Sequence, residues 1–177
     1  MESTKDIRKA AEERTYFKLF AEKAGLNLVD AEFESRDEPE PDILYKHGSE
    51  ATAFELSNCL EQEIQSDIGK RKNGKGQLKP FWADLDHCVK VLENKLRKPP
   101  YQSQYPVELL LHYGRSGQNC AAADDMYAGK LSNFLKDWIL KETVQFRRIW
   151  YLGELDAHLL FSSIGEAVYA GDSNSGY

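Results

Sequence analysis

Two acidic residues stand where the chain can turn them toward each other. Asp42 follows Pro41 at the start of a short extended run, ILYK, and Glu55 lies near the end of a second run, ATAFELS. Between them His47-Gly48-Ser49 is a polar turn. Read as a hairpin, the segment brings an aspartate and a glutamate together on neighbouring strands. Two carboxylates so placed repel each other unless a cation lies between them. Hard oxygen ligands of this kind suit Mg2+ or Mn2+, and the backbone carbonyl of Leu56 can add a neutral oxygen. The expected separation of the carboxylates is roughly 6 Å or less, short enough to share one ion.

Pro41-Asp42, a spacer, then Glu55-Leu56-Ser57 resembles the core motif of the PD-(D/E)XK nuclease superfamily: Pro-Asp followed by Asp/Glu-X-Lys. Ser57 stands at the lysine position, a departure that diverged members also show. The resemblance implies an α/β fold, the restriction-endonuclease-like αβββαβ core with a mixed central sheet. It also implies an activity, the metal-dependent hydrolysis of phosphodiester bonds in DNA, in restriction, repair or mobile-element biology. Asp42 and Glu55 would then be catalytic residues and ligands of Mg2+ or Mn2+. The first helix of the superfamily often adds a glutamate, for which Glu12 and Glu13 are the candidates. Glu13 is favoured, because it precedes Phe17 by four residues and shares its face, whereas Glu12 lies closer to solvent.

The superfamily lysine orients the attacking water and stabilises developing charge. Ser57 donates a hydrogen bond but brings no charge. Lys46, on the face of Asp42 by strand alternation, is the nearest replacement, with a second metal or a lysine of the 70–79 loop as others. If nothing replaces the lysine, the chain is a catalytically inactive module of the same fold that binds nucleic acid or protein. A third reading is an unrelated α/β interaction protein whose acidic hairpin is only surface.

The charges are segregated along the chain, whose net charge is −6. Asp30, Glu32, Glu34, Asp37, Glu38, Glu40 and Asp42 crowd one segment with only Arg36 among them. Lys70, Arg71, Lys72, Lys75 and Lys79 crowd another that has no acid. A protein that holds cations in one place and phosphates in another has this pattern, and so does an ordinary solvated surface. Lys70, Arg71, Lys72 and Lys75 are candidate DNA-phosphate contacts that position without reading sequence. Gly69, Gly74 and Gly76 would let their loop order on binding.

The elements that must position these residues follow from periodicity. Residues 5–24 predict an amphipathic helix with Ile7, Ala10, Phe17, Phe20, Ala21 and Ala24 inward and Gly25 as its stop. Val29, Ala31 and Phe33 alternate with acids as a half-buried strand, and Pro39 and Pro41 break the chain before strands at about 42–46 and 51–56. On the last of these Ala51, Ala53, Glu55 and Ser57 share one face, where the small residues leave room for a ligand. Residues 58–68 allow a helix, and 69–79 read as a loop. Phe81, Leu85, Cys88, Leu92 and Leu96 predict a strong helix that Pro99-Pro100 ends. YPVELLLHYG reads as a buried strand, GRSGQNCAAADD as a loop, and 127–141 as a helix with Tyr127, Leu131, Phe134, Leu135 and Trp138 inward. Strands at about 147–152 and 158–162 close the fold. This order alone gives an α/β class; the superfamily core would extend to about Gly114, with a helix and two strands added after it.

At 177 residues and 41% hydrophobic, one domain over 1–170 is expected, with a small polar disordered tail at 171–177. No apolar run reaches membrane-spanning length and the N-terminal stretch lacks a secretory-type apolar segment, so a cytoplasmic protein without a membrane partner is expected. DNA is the expected partner, and a homodimer is admitted. Cys59, Cys88 and Cys120 have no CxxC spacing and read as reduced thiols. The histidines lack metal-ligand spacing, and there is no GxSxG, Walker A or GxGxxG motif. Trp82, Trp138 and Trp150 fall on apolar faces and read as core.

Overall fold

Alternating apolar residues in the strands give the sheet two buried faces, and helices cover both. The computed structural model describes residues 4–29, 31–37, 39–59, 85–113 and 121–165. In chain order these form α1 (Thr4–Lys23), β1 (Ala31–Ser35), β2 (Ile43–His47), β3 (Glu50–Asn58), α2 (Leu85–Leu96), β4 (Val107–His112), α3 (Ala121–Ile139), β5 (Arg148–Leu152) and β6 (Ala157–Ser162). The strands lie side by side in that same order in one six-stranded mixed sheet. β1, β2 and β3 are an antiparallel meander, β3, β4 and β5 run parallel, and β6 returns antiparallel to β5.

The first helix ends as its sequence requires. Gly25 takes φ +69, and the amide of Leu26 donates to the carbonyl of Ala21 at 2.8 Å while that of Gly25 donates to Glu22 at 3.3 Å. This is a Schellman closure, which needs the left-handed residue that glycine supplies without strain. It turns the chain back so that Leu26 and Leu28 join the core under α1. Gly48, at φ +60, makes the β2–β3 turn in the same way.

One face is aromatic. Phe17 and Phe20 of α1 lie 5.1 and 5.6 Å from the ring of Phe54, and Phe20 meets Trp150 edge-on at 5.3 Å. Ile43, Tyr45, Leu56 and Leu110 complete that layer. On the other face Leu109, Leu111, Ile149 and Tyr151 pack against Cys88, Leu92 and Leu96 of α2 and Leu131 and Leu135 of α3. Cys59 and Cys88 are buried free thiols. Trp138 is buried and Trp150 half-buried, as their apolar settings suggest.

Some expectations change. Val29 lies outside β1 and is exposed, because the chain joins the sheet only at Ala31, and Ile7 projects into solvent beyond the packed part of α1. The third helix starts at Ala121, not at 127: the alanines and aspartates of AAADD are helical, although the turn residues before them suggest a loop through 125. The reason is tertiary. Asp124 faces inward, where its Oδ2 accepts the amides of Glu154 at 2.5 Å and Leu155 at 3.3 Å and so holds the β5–β6 turn. Residues 60–84 and 166–177, including the expected 58–68 helix beyond Cys59, the 69–79 loop, Phe81, Trp82 and the tail, lie outside the described residues, as does Cys120.

Asp124 also explains Gly153. A Cβ at that position would sit 2.5 Å from the Asp124 carboxylate, which is buried and cannot retreat. Gly153→Ala is therefore expected to cost about 1–3 kcal/mol, the scale of overpacking a closed site. Urea unfolding checks this, and an unchanged midpoint would mean that the turn relaxes freely.

The apolar run of β4 contains one acid, Glu108, which is 1% exposed. Its Oε1 accepts from Arg147 Nε at 2.8 Å, Arg147 Nη2 at 2.6 Å and Arg148 Nη1 at 2.8 Å, and its Oε2 accepts from Trp150 Nε1 at 2.8 Å. Arg147 also reaches Thr52 Oγ1 at 2.9 Å. A buried carboxylate persists only with such partners, and these tie β3, β4 and β5 together at one end of the sheet.

Candidate functional site

One residue further along β3 from the level of Glu108 lie the two acids of the hairpin. The β2–β3 register pairs Ile43 with Phe54, so the next step along places Asp42 across from Glu55. The backbone carbonyl of Asp42 accepts the Arg36 amide at 2.9 Å on the β1 side, and toward β3 its side chain bonds. Its Oδ2 accepts the amide of Leu56 at 2.9 Å, capping the edge of β3 that β2 leaves open. The Asp42 carboxylate and the Glu55 side chain therefore flank a single peptide unit of β3. Both residues are buried.

Buried carboxylates need counter-charge, and each receives a lysine from a different helix. Lys9 of α1 places its Nζ 3.2 Å from Asp42 Oδ1 and 3.2 Å from Glu13 Oε1. Lys95, in the last turn of α2, pairs with Glu55 Oε1 from the other side of the sheet. Glu13 faces inward beside Phe17, while Glu12 is exposed and pairs with Arg8. Burial, and then the charge of Asp42, push the Glu13 carboxyl up to about 7 against the opposing pull of Lys9. Burial works against the charge on Lys9, yet Asp42 and Glu13 together hold its pKa above the ordinary lysine value.

His112, at the end of β4, stacks on Tyr16 of α1 with ring centroids 4.1 Å apart. Burial brings its imidazole down to about 4, with Asp42 pulling the other way, so it is neutral at physiological pH. Next to this cluster, small side chains leave space as expected. A cavity of about 210 Å³ is lined by Ala53, Leu44, Pro41, Arg36 and Glu40 with the 102–105 segment. It borders Pro41 and Ala53 and is not lined by the two carboxylates.

Of the residues named from sequence, Asp42, Glu55 and Glu13 come to this end of the hairpin. Ser57 is buried on β3, two residues beyond Glu55. Lys46 does not join them. It lies across from Ala51 and 4.0 Å from Glu34, four residues and so about 13 Å along the strand from Asp42. It lies at the far end of the strand. Lys70, Arg71, Lys72 and Lys75 lie outside the described residues.

Sequence reasoning missed both lysines that do reach the acids. Each had a signal. Lys9 is four residues before Glu13 on α1, the spacing of a helical ion pair. Lys95 is three residues after Leu92 and seven after Cys88, on the buried stripe of α2.

Among the described residues, no group of three or more His, Cys, Asp or Glu side chains could hold a metal ion. The acids present are hard oxygen donors, each already paired with a lysine. Magnesium keeps most of its waters and binds through one or two carboxylates, and a cationic ammonium already bridges Asp42 and Glu13. Asp42, Glu13 and Glu55 do not make up a three-ligand group of that kind. Comparisons with models of protein families, with curated proteins and with solved structures found no match to this chain. Among the described residues no helix is long and apolar enough to cross a membrane.

Proposed function

We propose that this chain is a metal-dependent nuclease, a diverged member of the PD-(D/E)XK superfamily that hydrolyses phosphodiester bonds of DNA. The observation that carries the reading is the pairing at the β3 edge. Asp42 is anchored to the amide beside Glu55, and Lys95 supplies the positive charge that Ser57 lacks. The topology supports it: a helix, an antiparallel three-stranded meander, a helix and a strand parallel to the third, with α1 and α2 against opposite faces. That is the αβββαβ order of the superfamily core, and α3, β5 and β6 are additions to it.

In this reading Asp42, Glu55 and Glu13 hold Mg2+ or Mn2+, which when bound polarises the phosphate and lowers the pKa of water. The chain's own residues do the positioning. The Leu56 amide fixes Asp42, so the carboxylate keeps its orientation without reorganising during turnover. Lys95 holds Glu55 and presents an ammonium where negative charge develops. Lys70, Arg71, Lys72 and Lys75 would contact DNA phosphates.

One feature favours a second reading, a catalytically inactive module that binds nucleic acid or protein. The motif lysine is a serine, and Asp42, Glu13 and Glu55 are already paired with Lys9 and Lys95. Turnover separates the two. Plasmid and linear DNA incubated with the purified chain under Mg2+ or Mn2+ should be cut, and Asp42→Ala should abolish the cutting. DNA binding without cutting by the wild type, and by Ser57→Lys as well, would favour the module.

A further inference from the structure

Two thiols lie apart from the acids of the hairpin, and they meet each other. Cys59 follows the last residue of β3, where its amide donates to the carbonyl of His112 at 2.7 Å and continues the β3–β4 pairing past Asn58. Cys88 lies near the start of α2, and its Sγ donates to the Tyr113 hydroxyl at 3.1 Å. Both cysteines are 1% exposed in the same core layer between α2 and the sheet. The two thiols are hydrogen-bonded to each other. We propose that Cys59 and Cys88 are a disulfide-forming pair, which hydrogen peroxide joins to staple the end of β3 to the start of α2. The staple needs neither metal nor DNA.

A disulfide needs two sulfurs about 2 Å apart on facing side chains. Thiols in hydrogen-bond contact already face each other, so closing the bond asks for a turn of the side chains and no refolding of the backbone. One thiol, as thiolate, attacks a peroxide oxygen and breaks the O–O bond. That leaves a sulfenic acid and a hydroxide, which takes up the thiol's proton as water. The second sulfur then attacks the sulfenic sulfur, the S–S bond forms, and the S–O bond breaks with loss of a second water. Two thiols lose two electrons and two protons, and one peroxide becomes two waters.

The reaction is slow. The bond to Cys88, and then burial, hold the Cys59 thiol well above its ordinary pKa, and a buried protonated thiol is a poor nucleophile. The pair is therefore set by prolonged oxidation and is not a fast sensor. Its place gives it a consequence. Lys95 follows Cys88 by two helical turns on the same face of α2, and it is the partner of Glu55 on β3. A covalent tie at Cys88 fixes α2 against the strand that carries Glu55.

The test is prolonged incubation of the folded full chain with hydrogen peroxide, then alkylation, digestion without reduction, and mass spectrometry. A peptide pair joined through Cys59 and Cys88, two hydrogens lighter than its parts, is expected. Residues 60–87 lie inside the loop it closes, so the oxidised protein should melt about 5–10 °C above the reduced one. Cys59→Ala and Cys88→Ala, each compared with its own untreated form, should show no such rise. Hydrogen exchange over 85–96, which needs no variant, should slow severalfold in the oxidised wild type. Thiols left free after treatment, or carried to sulfinic or sulfonic acid without a cross-link, would overturn the proposal. So would a cross-link to Cys120 in their place, one formed only in urea, or one that leaves the melting temperature unchanged.

Discussion

With Lys95 changed to glutamine, DNA cleavage under Mg2+ is expected to fall about a hundredfold, the scale of removing one well-placed charged donor from a site. Glutamine keeps a hydrogen-bond donor toward Glu55, so the fold should survive with a loss of about 1–3 kcal/mol. Lys46→Ala, at the far end of the hairpin, should leave the rate almost unchanged. The informative variant combines Lys95→Gln with Ser57→Lys. If the defect is a missing charge, returning a lysine to β3 should recover part of the rate. A defect of stability alone would not be repaired in that way. Single-turnover rates for the four proteins decide it: equal loss with and without Ser57→Lys would reduce Lys95 to a structural partner of Glu55.

Glu108→Ala is expected to destabilise the chain by about 3–5 kcal/mol, the cost of removing one member of a buried ionic network. The substitution strips Arg147, Arg148 and the Trp150 indole N–H of the acceptor they share. Two guanidinium groups would be left side by side where β4 and β5 pair. Urea unfolding followed by circular dichroism measures the loss. A cost below about 1 kcal/mol would mean that the arginines turn out to solvent and that the network adds little.

How far these features can be read from the sequence depends on how local their causes are. The helix of Phe17 and Phe20, its Gly25 stop and the Gly48 turn follow from spacing and from backbone freedom, and they stand where those rules put them. The hairpin places Asp42 across from Glu55 because turn position sets register. Strand alternation tells which face a side chain occupies but not which partner reaches it, and so Lys46 looks near Asp42 and is not. Lys95 reaches Glu55 because α2 packs under the sheet: its place on the buried stripe of α2 is legible in the sequence, its partner across the sheet is not. Glu108 is lost in the same way inside VELLLH, since its partners arrive from β5 about forty residues later. The early start of α3 shows the reverse error. Turn residues in GRSGQN outweighed the helix-forming alanines, and the inward Asp124 that rewards the helix is visible only against the β5–β6 turn.

The central claim is that Asp42 and Glu55 form one metal centre at the β3 edge. It is tested most directly by soaking a crystal of the chain with Mn2+ and computing the anomalous difference map. The account predicts a peak between the carboxylates of Asp42 and Glu55, near Glu13. The peak should disappear in Asp42→Ala. No peak there at saturating Mn2+, or Mn2+ bound elsewhere, would contradict it.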